Sequence, residues 1–187
     1  VTSTEIDCNK MLVQPNFSIP QIDVLSIEND GEIQAGTLQF AIQYSNALSE
    51  AYTSFYSVTN PISIFDENKI TQDFNYNVNK SVNLQISNID ISGYYDYFNL
   101  AVIKTVNNIP TPYLVGTYKI NSSSQTISYT GQNKTEIPLS VFDIQEKYPI
   151  YKEADGLTAV QDILLWYGLK TDEQINYQKI WSKVHLQ

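Results

Sequence analysis

Residues 35–61 read AGTLQFAIQYSNALSEAYTSFYSVTNP, and their alternation limits the fold more than any other stretch. Leu38, Phe40, Ile42 and Tyr44 alternate with Thr37, Gln39, Ala41 and Gln43. A period of two places one set on each side of a pleated strand, so the spacing predicts a half-buried strand. Residues 45–50 are a polar break. A second alternating run follows, with Tyr52, Ser54, Tyr56 and Val58 on one face and Thr53, Phe55 and Ser57 on the other. It stops at Asn60-Pro61, because proline has no N–H for a ladder and restrains the residue before it. The stretch is expected as an antiparallel strand pair, the seed of a β-sandwich.

The remaining chain repeats this texture. Residues 1–20 hold two prolines and scattered apolar positions and read as an extended arm, with Met11-Leu12-Val13 available to pin it to a sheet edge or to a neighbour. Ile22, Val24 and Ile27 suggest a first strand, and Asn29-Asp30-Gly31 a turn. Ile62–Phe65 is a short strand, residues 66–79 a polar loop, and Ser81–Ser87 a strand with Val82, Leu84 and Ile86 on one face. Tyr94–Val106 is apolar on both parities, the pattern of a central strand. Asn107-Asn108-Ile109-Pro110 breaks it, Tyr113–Ile120 follows with Gly116 as an expected bulge or close approach, and Gln125–Tyr129 continues the meander. Ile137 and Leu139 start another short element. Ser140 is positioned to cap a short helix through Val141–Lys147. Thr158–Tyr167 fits helix or buried strand, its second half favouring strand, and a weakly amphipathic helix is expected from Asp172 on. The expected fold is mainly β: an antiparallel sandwich of the immunoglobulin or fibronectin-III kind over residues 21–139, an extended arm over 1–20, and a small mixed segment over 140–187. Val1 in place of a start methionine, and an ending that resembles a strand cut short, suggest a piece of a longer chain.

Composition narrows the function. A chain of 187 residues is long enough for a substantial core. Only 17% of residues are charged, so the polar surface is built largely from Asn, Gln, Ser and Thr. The formal net charge is −9 and all eleven basic residues are Lys. A chain without Arg lacks the planar fork that reads phosphate and guanine, which disfavours direct sequence-specific nucleic-acid binding, and it has no arginine finger. Cys8 is the single cysteine, so an intrachain disulfide and a cysteine-built zinc site are excluded. No apolar run reaches transmembrane length, and no membrane insertion is expected.

Each candidate for chemistry has a plainer reading beside it. His185 is the only histidine, and no Gly-x-Ser-x-Gly elbow surrounds any serine, so a surface or interface imidazole is the expectation. Asp66-Glu67-Asn68 and the pair Asp90 and Asp96 carry oxygen ligands suited to calcium, but no Asp-x-Asp-x-Asp-Gly loop is present and loop carboxylates are ordinarily solvated. A glycosidase pair cannot be picked from twenty acids by spacing. No phosphate loop occurs. Asn16, Asn79, Asn121 and Asn133 head glycosylation triplets that an Asn-rich chain forms by chance. Catalytic residues, cofactors and metals are therefore expected to be none. Tyr94, Tyr95 and Tyr97, with Trp166 and Trp181, offer an aromatic platform for sugars or a partner, although core packing accounts for most such rings. Trp181, Tyr95, Tyr97 and Met11 are the candidate interaction residues.

Several stretches together carry a resemblance: Glu5-Ile6-Asp7-Cys8-Asn9-Lys10-Met11-Leu12, the Ala35–Pro61 stretch, Tyr97-Phe98-Asn99-Leu100-Ala101-Val102-Ile103-Lys104-Thr105, Tyr129-Thr130-Gly131, Leu164-Leu165-Trp166 and Asn176-Tyr177-Gln178-Lys179-Ile180. In this order they resemble the tail stabilisation, or muzzle-type, structural proteins of crAss-like bacteriophages of gut Bacteroidales, which are similar in role to the tail accessory factors of short-tailed phages. The resemblance implies a longer protein, a place in the virion below the portal, and partners that are other copies of the chain and other tail proteins. It carries over no catalytic residue. A surface or secreted β-sandwich module binding glycans through exposed aromatics stands beside it as the second expectation, and a hydrolase fragment as the third.

Overall fold

The computed structural model describes residues 17–51, 53–69, 76–131, 136–145, 151–160 and 163–171. They fall into two compact units, one running Phe17–Tyr148 and the other from Pro149 on. The first is a sandwich. Its smaller sheet sets β4 (Ser81–Ser87) between β1 (Gln21–Glu28) and β7 (Gln125–Tyr129). Its larger sheet runs in the order β3 (Ile62–Ile64), β2 (Gly36–Ser45), β5 (Tyr97–Val106), β6 (Ile109–Lys119), β8 (Ile137–Pro138). All neighbours are antiparallel. β6–β5–β2–β3 have the adjacency of strands G–F–C–C′ in an immunoglobulin sandwich, and β1–β4 that of B–E. β7 departs from that plan: it follows β6 in the chain yet lies beside β4. Gln125–Tyr129 therefore does not continue the meander but crosses to the other sheet. Ile127 and Tyr129 face the core, whereas Thr126 and Ser128 lie in a solvated row with Asn83 and Gln85 of β4.

The core lies between the sheets. Leu38, Phe40, Ile42 and Tyr44 of β2 and Phe98, Leu100 and Val102 of β5 meet Val82, Leu84, Ile86, Ile127 and Tyr129. The predicted alternation thus selects the core face of β2. The other face was expected in solvent and is not: Ala41, Gln43 and Ser45 are buried as well. Residues 46–59 fold back across them, and the short helix α1 (Val141–Gln145) joins, so Ala41, Ala101 and Phe55 form a second small core with Leu139 and Ile144.

The covering segment is where the predicted second strand was placed, and it forms none. It touches β2 through isolated bridges, Ile42 to Tyr56 and Ser45 to Ala51. Ser57, at φ 56°, interrupts the pleat. The edge amides of β2 are satisfied alternately by side chains and main chain: Phe40 N donates to Thr59 Oγ1 (2.9 Å), Ile42 N to Tyr56 O (3.1 Å) and Tyr44 N to Thr53 Oγ1 (3.0 Å). Threonine hydroxyls replace the carbonyls that a regular strand would present. Tyr52 lies outside the described residues.

β5 is central, as its two-sided apolarity predicts. β6 begins at Ile109, earlier than the prolines suggest. Asn107 and Asn108, at φ 52° and 63°, form the two-residue turn of a tight hairpin between Val106 and Ile109. That closure points the backbone of Ile109 and Thr111 at β5 and turns Pro110 and Pro112 outward, where no donor is required. The bulge expected at Gly116 is present: Leu100 opposes Gly116 and Ala101 opposes Leu114, leaving Val115 as the extra residue. β1 carries a second bulge at Leu25. At the N-terminus of α1, Phe142 N donates to Ser140 Oγ (3.2 Å) and Ser140 N to Asp143 Oδ2 (2.7 Å), the reciprocal pair of a capping box.

In the second unit, β10 (Gly156–Val160) and β11 (Ile163–Tyr167) form an antiparallel hairpin, and β9 (Tyr151–Glu153) pairs with β12 (Lys170–Thr171). Thr158–Val160 and Ile163–Tyr167 are thus both strand. The helix expected from Asp172 lies outside the described residues.

Candidate interaction surfaces

Of the rings that could have formed an aromatic platform, Tyr95 takes the plainer role of core packing. Tyr95 precedes β5 and is buried: its ring stacks on Tyr44 at 4.5 Å between centroids, with Phe17 edge-on to both at 5.6 and 5.5 Å. Tyr97 opens β5 and is half-buried, opposite Ser45 and Lys119. Tyr94 is exposed in the preceding loop. Met11 and Trp181 lie outside the described residues, as do Cys8 and His185.

The cluster around Tyr44 is a clasp, not a platform. Tyr44 Oη donates to Ser18 O (2.8 Å) and accepts from Asp90 N (2.8 Å). Asp90 in turn accepts from Ser18 N and Ser92 N through its carboxylate. Burial pushes the Tyr44 phenol up to about 12, with the Asp90 charge adding to the rise against the lowering contact from its backbone. Burial alone would raise Asp90; the donors of Ser92 and Ser18 outweigh it and hold the carboxyl below its ordinary value. A carboxylate so occupied closes a loop. Asp66 likewise accepts from Asn68 N and pairs with Lys69, and Glu67 pairs with Lys80. Among the described residues, no three His, Cys, Asp or Glu side chains gather as metal ligands would.

A second internal device closes the far end of the sandwich. Lys104 points inward from β5 and meets Glu136 at 2.6 Å, while Tyr129 Oη donates to the other carboxylate oxygen (2.6 Å). The ammonium also sits over the rings of Tyr113 and Tyr129 at 4.9 and 5.8 Å. On the outer face of the larger sheet, Asn99 is satisfied on both ends: its amide donates to Gln43 Oε1 and Ser49 O, and its oxygen accepts from Thr117. The hollow that Lys104 and Tyr129 border holds about 10 Å³, too small for a substrate.

The sandwich leaves an apolar surface uncovered beside α1. Beside α1 an open hollow of about 200 Å³ is lined by Gln39, Ile103, Pro110, Pro112, Val141 and Ile144. Phe142 is 77% exposed, and Ile109 and Ile137 more than half so. Sequence reasoning missed this surface because it took 141–147 as a capped helix without asking which face had a neighbour. In the second unit Leu165, Trp166 and Tyr167 of β11 and Leu157 of β10 are also exposed. A two-stranded hairpin has little core of its own, and Trp166 keeps 39% of its surface open.

A family model described as Crassvirus muzzle protein matches residues 1–153 of the chain. No curated protein matches it. The match takes in the whole sandwich unit and ends before β10.

Proposed function

The chain belongs to the crassvirus muzzle protein family, a phage structural and tail-associated family, and we propose that it works as a static assembly element of the tail, below the portal. In this reading it acts without catalysis, by packing against other copies of itself and other tail proteins. The observation that carries it is the uncovered apolar strip around α1. Exposed contiguous apolar surface has a free-energy cost in water that a partner removes, and Phe142 at 77% exposure is the side chain with most to gain. The amide- and hydroxyl-rich remainder suits lateral contacts that tolerate water. Among the described residues no helix is long and apolar enough to cross a membrane. The family match favours the virion over the bacterial surface module set beside it above.

The test is incorporation. Phage lacking the wild-type copy are complemented in trans with Phe142→Asp, and the chain is quantified in purified particles. The variant is expected to fold, since the side chain is exposed, and to fall in particles by about tenfold or more, as loss of an interface anchor does. Incorporation at the wild-type level refutes a packing role for this strip.

A further inference from the structure

Within the polar stretch after β3, residues 66–69 and 76–80 border a cleft. Its floor is the extended stretch 76–80, laid against residues 31–35 and fixed by four main-chain bonds: Gly31 N to Asn79 O, Ile33 N to Lys80 O, Val78 N to Ile33 O and Ala35 N to Tyr76 O. The approach is close enough that a Cβ on Gly31 would overlap Lys80 O. The wall is a turn at 66–69, closed by Asn68 N donating to Asp66 Oδ1 (3.0 Å) and Lys69 N to Asp66 O (3.1 Å). Lys80 Nζ to Glu67 Oε1, at 2.8 Å, ties wall to floor. The cleft is open on one side and measures about 430 Å³, within the range of small-ligand sites.

Its chemistry is specific. Among the described lining residues Asp66 and Glu67 are balanced by Lys69 and Lys80, so their charges sum to zero and favour neither an anion nor a cation. The amides of Asn29, Asn68, Asn77 and Asn79 supply donors and acceptors together. Val78 is the one aliphatic side chain among the described lining residues, which leaves an apolar ligand little to bury against there. Tyr76 stands at the rim, 53% exposed although Lys69 sits over its ring at 4.0 Å. A neutral ligand with many hydroxyls and a partly apolar ring fits that combination of amides, fixed charges and one open aromatic. We propose that the cleft binds a saccharide, an uncharged mono- or disaccharide unit of a longer glycan. This is a ligand-binding activity separate from tail packing and does not rest on it: the strip around α1 and the cleft share no lining residue.

Saturation-transfer NMR on the full chain with maltose, lactose and chitobiose, each alone, tests this. At least one disaccharide is expected to receive saturation, with an affinity of order millimolar. Tyr76→Ala and Asn77→Ala, both exposed positions, weaken it by about tenfold or more, whereas Tyr94→Ala, an exposed tyrosine outside the cleft, leaves it unchanged. Transfer to none of the three sugars overturns the proposal. So does transfer that survives both cleft substitutions, and so does transfer lost equally in Tyr94→Ala.

Discussion

Replacing Tyr44 by Phe removes one oxygen and leaves the ring. The ring contacts to Phe17 and Tyr95 persist, so the variant isolates the hydroxyl. That hydroxyl makes two bonds of 2.8 Å, donating to Ser18 O and accepting from Asp90 N. Ser18 is exposed and its carbonyl can turn to water, but the Asp90 amide is buried. An orphaned buried donor costs about 1–3 kcal/mol, so the expected loss is about 2 kcal/mol. In urea, with a slope of about 2 kcal/mol per molar, the midpoint falls by about 1 M at unchanged slope. A fall of less than about 0.2 M would mean that Asp90 N is hydrated and that the clasp does not hold the 17–20 segment. The alkaline limb gives a second reading. The phenol ionises near 10.0 in the unfolded chain and near about 12 when folded. Its folded value is raised, so its contribution is complete below pH 10.0 and is lost as pH rises towards about 12. Tyr44→Phe, lacking that group, should show a shallower loss across the same window.

Three further outcomes are expected. Lys104→Met leaves the Glu136 carboxylate, 4% exposed, without its cation while the Tyr129 hydroxyl still donates to it; stability should drop by about 3 kcal/mol, and Lys104→Met with Glu136→Leu should recover much of it, both read by denaturant unfolding. Asp90 has a depressed folded pKa, so it contributes stability above its ordinary value of 3.8 and loses it as pH falls through the folded value; Asp90→Asn should flatten the acid limb of the pH–stability curve. Ser45 Oγ is buried without a hydrogen-bond partner, so Ser45→Ala should raise stability by up to about 1 kcal/mol in denaturant unfolding, against the usual direction of core truncation.

Periodicity exposed the elements whose alternation is paid in burial on the core side: β2, β4 and β5 lie where their Leu, Ile, Phe and Val residues put them. It failed where the decisive neighbour is remote in sequence. Nothing between Thr37 and Ser45 announces that Phe55 and Ile144 will cover Ala41, or that Gln43 and Asn99 will satisfy each other inside rather than face water. The run 52–58 alternates like a strand, yet Thr53 and Thr59 offer hydroxyls to the edge of β2 and Ser57 turns left-handed, so the main chain never forms a ladder. β7 has a strand pattern in either sheet; only the packing of Ile127 and Tyr129 on Leu84 and Val82 selects one. The interaction residues were legible least. Tyr95 has the composition of a platform and the position of a core residue, and the cleft at 66–80 exists only because 76–80 returns to Gly31 and Ile33.

The tail reading stands or falls on where the chain resides in the particle. Antibody raised against it, applied with gold to intact phage from the same source, should label a single capsid vertex. Gold confined to bacterial surfaces, with particles clean, would contradict the account and leave the sandwich as a cell-surface module.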